Sequence, residues 1–307
     1  MLRDRLISSA VLLAIVAVCL WLDANYPPRG VGGVWLLPLL VFFAGGTSTE
    51  LSRLLVHAGR LVRTPVAVAG ALLVTLAATI PSAWGLAGEV YPPDCPVGRL
   101  GWIVIGGIAA VGIVFAAEMS TYGRGPTGAI ERLASGGFIA LYVGLPLAML
   151  VALRGLGSTS AWGLAALVTM VAATKSADAG AYFTGRSLGR HKLIPRLSPG
   201  KTWEGAIGGI VFAILVSYGC IIWLFPALTG FPTGAPWWGP IVLGVACALA
   251  GMFGDLAESL IKRDSGAKDS GGLLPGLGGV WDVTDSLIGA SLPAYLCFVA
   301  GVAGPVA

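Results

Sequence analysis

Apolar residues fall in long runs along this chain, and the polar residues gather between the runs. Nine runs read as spans, at residues 6–22, 34–48, 65–86, 101–117, 136–153, 161–183, 205–225, 238–258 and 286–306. A helix that crosses a bilayer needs about 20 residues, in a range of about 17–25. The second run is short unless it continues past Glu50. The alternation of apolar and polar residues that marks a membrane barrel is absent. The pattern therefore predicts an all-α, polytopic integral membrane protein of about nine transmembrane helices, forming a single membrane domain.

Composition strengthens this reading. Of 307 residues, 56% are hydrophobic and 11% charged, and the mean hydropathy is +0.86. Soluble domains carry about 25% charged residues, and a water-soluble fold could not hide so much apolar surface. The 19 lysines and arginines then set an orientation. Fifteen lie at the N-terminus or after even-numbered spans, and three (Arg29, Arg99 and Arg154) lie on the other side. The excess of cations on cytoplasmic loops predicts a cytoplasmic N-terminus, retained as a first helix, and a polar face turned to the cytoplasm. The net charge of +4 reflects this topology and does not imply a nucleic acid partner. The five cysteines (Cys19, Cys95, Cys220, Cys247 and Cys297) form no CxxC pair and imply neither a disulfide framework nor a thiolate metal site.

Three polar constellations interrupt the second half of the chain. In "KSADAGAYFTGR" at 175–186, Lys175, Asp178 and Tyr182 share one helix face at spacings of three and four. Lys and Asp at membrane depth mark either a structural pair or a functional cavity. In "GRHKLIPRLSPGKTWEGAIGG" at 189–209, Ser198, Pro199 and Gly200 read as a turn, and Lys201 and Thr202 open the next helix. Exposed amides leading into a helix N-terminus bind anions, and positive-inside charge explains the cations equally well. The third constellation is "GDLAESLIKRDSGAKDSGG" with the segment that follows. Asp255, Ser259 and Lys262 make one stripe of a helix, with Glu258 beside it and able to pair with Lys262. Asp282, Asp285 and Ser286 share a face at the start of the last span.

Carboxylates that converge repel one another unless a cation joins them. Oxygen ligands suit Mg²⁺, which takes one or two carboxylates together with phosphate oxygens and water. Glycines in the loop let backbone approach a ligand, and the nearby cations suit phosphate. The physical reading is a metal-plus-phosphate site at the inner membrane surface. Its alternative is a solvated, self-neutralising loop. Several phosphate chemistries lack their marks. The "GKT" at 200–202 has no full P-loop ahead of it, since Pro195 stands in place of the first glycine. Kinase signatures are missing, and "GRSLG" at 185–189 follows a membrane helix, not a strand. With two histidines, His57 and His191, histidine-based hydrolysis is poorly supplied.

The segment "SLIKRDSGAKDSGGLLPGLGGVWDVTD", 259–285, resembles the signature of the phosphatidate cytidylyltransferase (CDP-diglyceride synthase) family. Ser259, Lys262, Arg263, Lys268, Asp269, Gly271, Leu274, Pro275, Gly278, Gly279, Val280, Asp282 and Asp285 stand in register with it. "DAGAYFTGR" and "LSPGKTWEGAIGG" resemble the family as well. The likeness is good over 136–307, the catalytic region, whereas 1–135 form an N-terminal helical region that matches only as apolar spans. Two positions depart: Leu277 stands where the family has His, and Val283 where it has Arg.

The resemblance implies transfer of a cytidylyl group from CTP to phosphatidate, giving CDP-diacylglycerol and pyrophosphate, for phospholipid biosynthesis in the inner membrane. It implies Mg²⁺, with or without a second, monovalent cation, held by Asp255 and Asp282. Lys201, Lys262, Arg263 and Lys268 are the expected phosphate contacts, and Asp178 and Asp285 the orienting carboxylates. Asp269 joins the catalytic set. Tyr182, Ser198, Ser259, Gly278 and Gly279 join the substrate-binding set. A homodimer is implied as well. Two alternatives stay open: a CTP-dependent lipid kinase of the polyprenol or phytol kind, and a membrane transporter.

Overall fold

The computed structural model describes residues 2–123, 127–157, 159–267 and 269–304. The apolar runs become helices, in the order α1 (Leu2–Asn25), α2 (Leu37–His57), α3 (Thr64–Ala77), α4 (Ile80–Ala87), α5 (Gly98–Thr121), α6 (Ala129–Arg154) and α7 (Ser160–Leu188). A short ribbon follows, β1 (Lys192–Ile194) and β2 (Ser198–Thr202). Then come α8 (Trp203–Gly219), α9 (Phe225–Thr229), α10 (Gly239–Asp264) and α11 (Trp281–Val299). A π-helical segment, Cys220–Leu224, joins α8 to α9.

Among the described residues six helices are long and apolar enough to cross a membrane, which makes the chain an all-helical, polytopic architecture. They are Leu6–Asn25, Val34–His57, Gly98–Thr121, Ala129–Arg154, Trp203–Thr229 and Gly239–Asp264. The second run does continue past Glu50. The third is not one straight helix, because α3 and α4 meet at 54°. That break falls at Ala78 and Thr79, just ahead of Pro81, which cannot supply an N–H to a continuous helix. Two expected spans, α7 and α11, stand outside the six. Lys175, Asp178 and Arg186 lower the apolar content of α7, and Asp282 and Asp285 open α11. The residues that lower these helices' hydropathy are the ones the sequence singles out chemically.

The chain divides into two compact units. Unit one is Met1–Ala152 with Ile261–Thr284, so the signature loop folds with the N-terminal helices. Its core joins Val74, Ile103, Ala110, Ala140 and Ala148 from α3, α5 and α6. Small residues let these helices close up. A methyl group at Gly70 would lie 2.8 Å from the Ala140 side chain, and one at Gly144 would lie 2.7 Å from Val74. Unit two is Leu153–Leu260 with Asp285–Ala307. Ala177, Ala213 and Ala248 form its centre, where α7, α8 and α10 meet. Gly209 permits the α7–α8 approach, since a methyl there would lie 2.8 Å from the Ala177 carbonyl. Phe225 and Phe298 stack in this unit, and Trp162 packs edge-on against both.

The ribbon corrects one local expectation. Ser198, Pro199 and Gly200 are not a turn but the start of β2, antiparallel to β1 with Ile194 opposite Ser198. The turn lies one step earlier, at 195–197, closed by the Leu197 N–H donating to the Ile194 carbonyl at 3.1 Å. Pro195 favours that position because its fixed φ suits the second residue of a turn.

Candidate active site

The polar residues of unit two line a cavity of about 400 Å³, within the range of small-molecule sites. Helix α7 brings Asp178, Tyr182 and Arg186 to its wall, β2 brings Ser198 and Lys201, and α10 brings Asp255. Each position has a local cause. The Thr202 hydroxyl caps α8 by accepting from the Gly205 N–H at 3.1 Å, which fixes where β2 ends. The Glu204 carboxylate ties the ribbon back through the His191 backbone N–H at 3.2 Å and the ring nitrogen Nδ1 at 2.6 Å. Lys201 then reaches across to Asp255, Nζ to Oδ2 2.9 Å, and to the Met252 carbonyl at 3.3 Å. On α7 the Arg186 guanidinium donates to the Tyr182 hydroxyl at 2.8 Å.

Beside Asp255 lies a cluster of carboxylates. Asp255, Glu258 and Asp285 each offer a carboxylate oxygen, and these oxygens lie within 4.8 Å of one another. Glu258 and Asp285 are buried and Asp255 is half-buried. Helices α10 and α11 come this close because of glycine: a Cβ at Gly254 would strike the Asp285 carbonyl, and one at Gly289 the Ala250 carbonyl. Next to the carboxylates, Lys175 donates to the Ser286 hydroxyl at 2.8 Å, and Ser286 donates to Asp178 Oδ2 at 2.9 Å. Lys175 and Asp178 also pair directly at 3.5 Å. The structural pair expected between them therefore exists, and Ser286 extends it to α11. Three oxygen donors without nitrogen or sulfur suit a hard divalent cation, so Asp255, Glu258 and Asp285 can hold Mg²⁺.

In unit one the signature loop is organised around Asp282. Its Oδ1 accepts from Lys262 Nζ at 2.7 Å. Its Oδ2 accepts from the Ser270 hydroxyl at 2.7 Å, the Ser270 N–H at 3.2 Å and the Gly279 N–H at 2.6 Å. Four protein donors thus surround the carboxylate expected to bind metal. Gly278 needs to be glycine here, with φ at +95° and room for a methyl only 2.7 Å from Asp282 Oδ2. Leu277 and Val283, the two departures from the family signature, are half-buried.

The expected site residues thus separate. Asp178, Tyr182, Ser198, Lys201 and Asp255 come together at the unit-two cavity. Asp285 joins Asp255 in the carboxylate cluster, and Ser259 touches that group by donating to Asp255 Oδ1 at 3.4 Å. Lys262, Asp282, Gly278 and Gly279 come together in the loop of unit one. Arg263 and Asp269 are exposed, and Lys268 lies outside the described residues. Three participants do not stand out in the sequence as site residues. Glu258 was legible only as a partner for Lys262, although its spacing of three from Asp255 puts both on one face. Ser270 carried no signal beyond its place in a glycine-rich loop. Glu50 did carry one: a carboxylate inside an apolar run calls for a buried partner.

Known proteins resemble the chain in sequence. A family model described as "Cytidylyltransferase family" matches residues 3–300. Proteins named phosphatidate cytidylyltransferase are similar to part of the chain. The one from Brucella suis is 44% identical over 155 residues, 50% of this chain and 53% of its own length. The one from Haemophilus influenzae is 44% identical over 136 residues, 44% and 46% of the two chains. The one from Bacillus subtilis is 37% identical over 155 residues, 50% and 54% of the two chains. The chain spans about half the length of the curated relatives it matches. With a family match running over nearly its whole length, this chain belongs to the cytidylyltransferase family.

Proposed function

We propose that this protein is a phosphatidate cytidylyltransferase, which converts CTP and phosphatidate to CDP-diacylglycerol and pyrophosphate. The observation that carries the reading is the pairing, in one unit, of a cation-bearing cavity with a largely buried three-carboxylate cluster. The names of the relatives support the choice of substrates. A phosphate oxygen of phosphatidate forms a bond to the α-phosphorus of CTP, and the bond from that phosphorus to the bridging oxygen breaks as pyrophosphate leaves. The attacking oxygen is already anionic, since a phosphomonoester carries about −1.5 to −2 charge at pH 7. No strong general base is required. The protein's task is to place two polyanions together and neutralise their charge.

The residues divide that task. Lys201 and Arg186 present cations to phosphate oxygens in the cavity, and Asp255 holds Lys201 in position until substrate arrives. Asp178, fixed by Lys175 and Ser286, orients the polar groups on α7. Within unit one, Lys262 and Arg263 are candidate phosphate-binding cations in their own right. Asp255, Glu258 and Asp285 would hold Mg²⁺, which when bound supplies charge neutralisation at the reacting phosphates.

Incubating the purified protein with phosphatidate, Mg²⁺ and CTP labelled on either the α- or the γ-phosphate tests the reaction. Only the α-label is expected to enter lipid. Entry of the γ-label would identify a lipid kinase instead, and entry of neither would remove the transferase reading.

We also infer nine spans with the N-terminus in the cytoplasm, counting α7, α11 and the bent α3–α4 pair alongside the six. The signature loop then faces the cytoplasm and the 88–97 loop faces outward. Native Cys95 should accept an impermeant thiol reagent from outside intact cells, whereas an Asp264→Cys change in a Cys95→Ser background should not. Asp264 is exposed, so failure to label there reports sidedness. The reverse pattern of labelling would invert the orientation and the access route for CTP.

A further inference from the structure

Glu50 lies on α2, far in sequence from the signature loop, and is 3% exposed. A buried carboxylate is costly unless its oxygens are hydrogen-bonded. Here Oε1 accepts from the Val280 N–H at 2.9 Å, and Oε2 accepts from the Trp281 N–H at 2.9 Å and the Ser270 hydroxyl at 3.0 Å. Val280 immediately precedes α11 and Trp281 is its first residue, where backbone N–H groups have no partner within the helix. The residue before the helix, Val280, has no polar side chain to cap it. Glu50 supplies the cap from another helix, with the sign of charge that a helix N-terminus favours.

The contact reaches beyond α11. Ser270 has a single hydroxyl hydrogen, and its Oγ lies 3.0 Å from Glu50 Oε2 and 2.7 Å from Asp282 Oδ2. That hydrogen serves one carboxylate at a time, so Glu50 and Asp282 compete for it and Ser270 couples the two. Glycines of the signature clear the space. A methyl at Gly271 would lie 2.5 Å from Glu50 Oε1, and one at Gly279 would strike both Glu50 Oε2 and Ser270 Oγ. The expectation that these glycines serve phosphate approach has a local competitor: they admit Glu50.

We propose that Glu50 is a positioning residue for the transfer reaction, setting the first turn of α11 and, through Ser270, the Asp282 carboxylate that holds Lys262. This rests on the transferase reading above. Partners that orient charged site groups typically cost 10–100-fold in activity when removed. Glu50→Gln keeps one acceptor oxygen but turns an amide N–H₂ toward a backbone N–H. It should lower kcat about 10–100-fold with the KM for CTP changed less than about twofold. Adding Ser270→Ala to Glu50→Gln should cost less than it does alone, because the coupling is already broken. Glu50→Asp, which keeps the charge, should recover part of the loss. A merely structural residue would instead lower the yield of folded protein while leaving kcat per folded molecule intact. That outcome, or full additivity with Ser270→Ala, overturns the proposal.

A second readout needs no chemistry. Backbone hydrogen exchange at Val280 and Trp281 should be slow in the parent and faster in Glu50→Gln. Equal protection in both would overturn the proposal. If the parent transfers no label, the transferase reading fails on its own and the exchange comparison still judges Glu50.

Discussion

Asp255→Asn is expected to lower turnover by about 10²–10³, or about 2.7–4 kcal/mol of transition-state stabilisation, a loss typical of removing one preorganised electrostatic group. Two consequences combine in this one change. Lys201 loses the counterion that holds its Nζ at 2.9 Å. The cluster of Asp255, Glu258 and Asp285 loses one of its three charges. Asparagine keeps the shape and one oxygen, so the helix packing that Gly254 and Gly289 allow should survive. The measurement is the initial rate of lipid labelling over a Mg²⁺ titration, with thermal unfolding of the same sample as control. The expected pattern is lost rate, a raised Mg²⁺ requirement and an unchanged unfolding midpoint. A folded variant with near-parental turnover would remove Asp255 from the site and leave the cavity as a substrate-free cleft.

Much of the architecture is legible because bilayers impose coarse rules. Long apolar runs must be helical, since no water is available to satisfy the backbone. That rule locates the six helices that, among the described residues, are long and apolar enough to cross a membrane. It does not reveal the break between α3 and α4, where the run stays apolar through the bend. It also does not reveal that Ser198–Thr202 pairs with Lys192–Ile194, because a five-residue basic segment has no clear alternation. Candidate chemistry was legible wherever helical spacing could be counted. Lys175 with Asp178 is a pair of this kind, whereas Asp282 and Asp285, counted on one face, take different partners. Long-range partners were not. Glu50 meets Val280 across 230 residues, and although its place in an apolar run calls for a partner, nothing local names which one. The same limit explains why the signature loop folds with the N-terminal helices. A sequence pattern places a loop between its flanking helices, whereas the buried carboxylate of α2 fixes it in place.

Asp282→Asn is expected to differ from Asp255→Asn in kind. Both changes remove a carboxylate expected to bind Mg²⁺. Yet Asp282 sits among four protein donors, from Lys262, Ser270 twice and Gly279. Hydrogen bonds to charged groups contribute about 1.5–3 kcal/mol each, and an unsatisfied buried donor costs about as much again. Asparagine can keep an oxygen toward Ser270 and Gly279 only by turning its N–H₂ toward the Lys262 ammonium. Donor then faces donor, and the loop from 265 to 280 loses its hub. Turnover should fall by at least about 10², and the unfolding midpoint should fall with it. The loop should become sensitive to protease in the variant and remain resistant in the parent. Lys262→Met tests the pair from its other side: it leaves Asp282 with its three remaining donors, so the loop should stay resistant while activity falls. Were Asp282→Asn instead to raise the Mg²⁺ requirement with stability unchanged, Asp282 would be acting on the metal, and the four donors would have to give way when substrate binds.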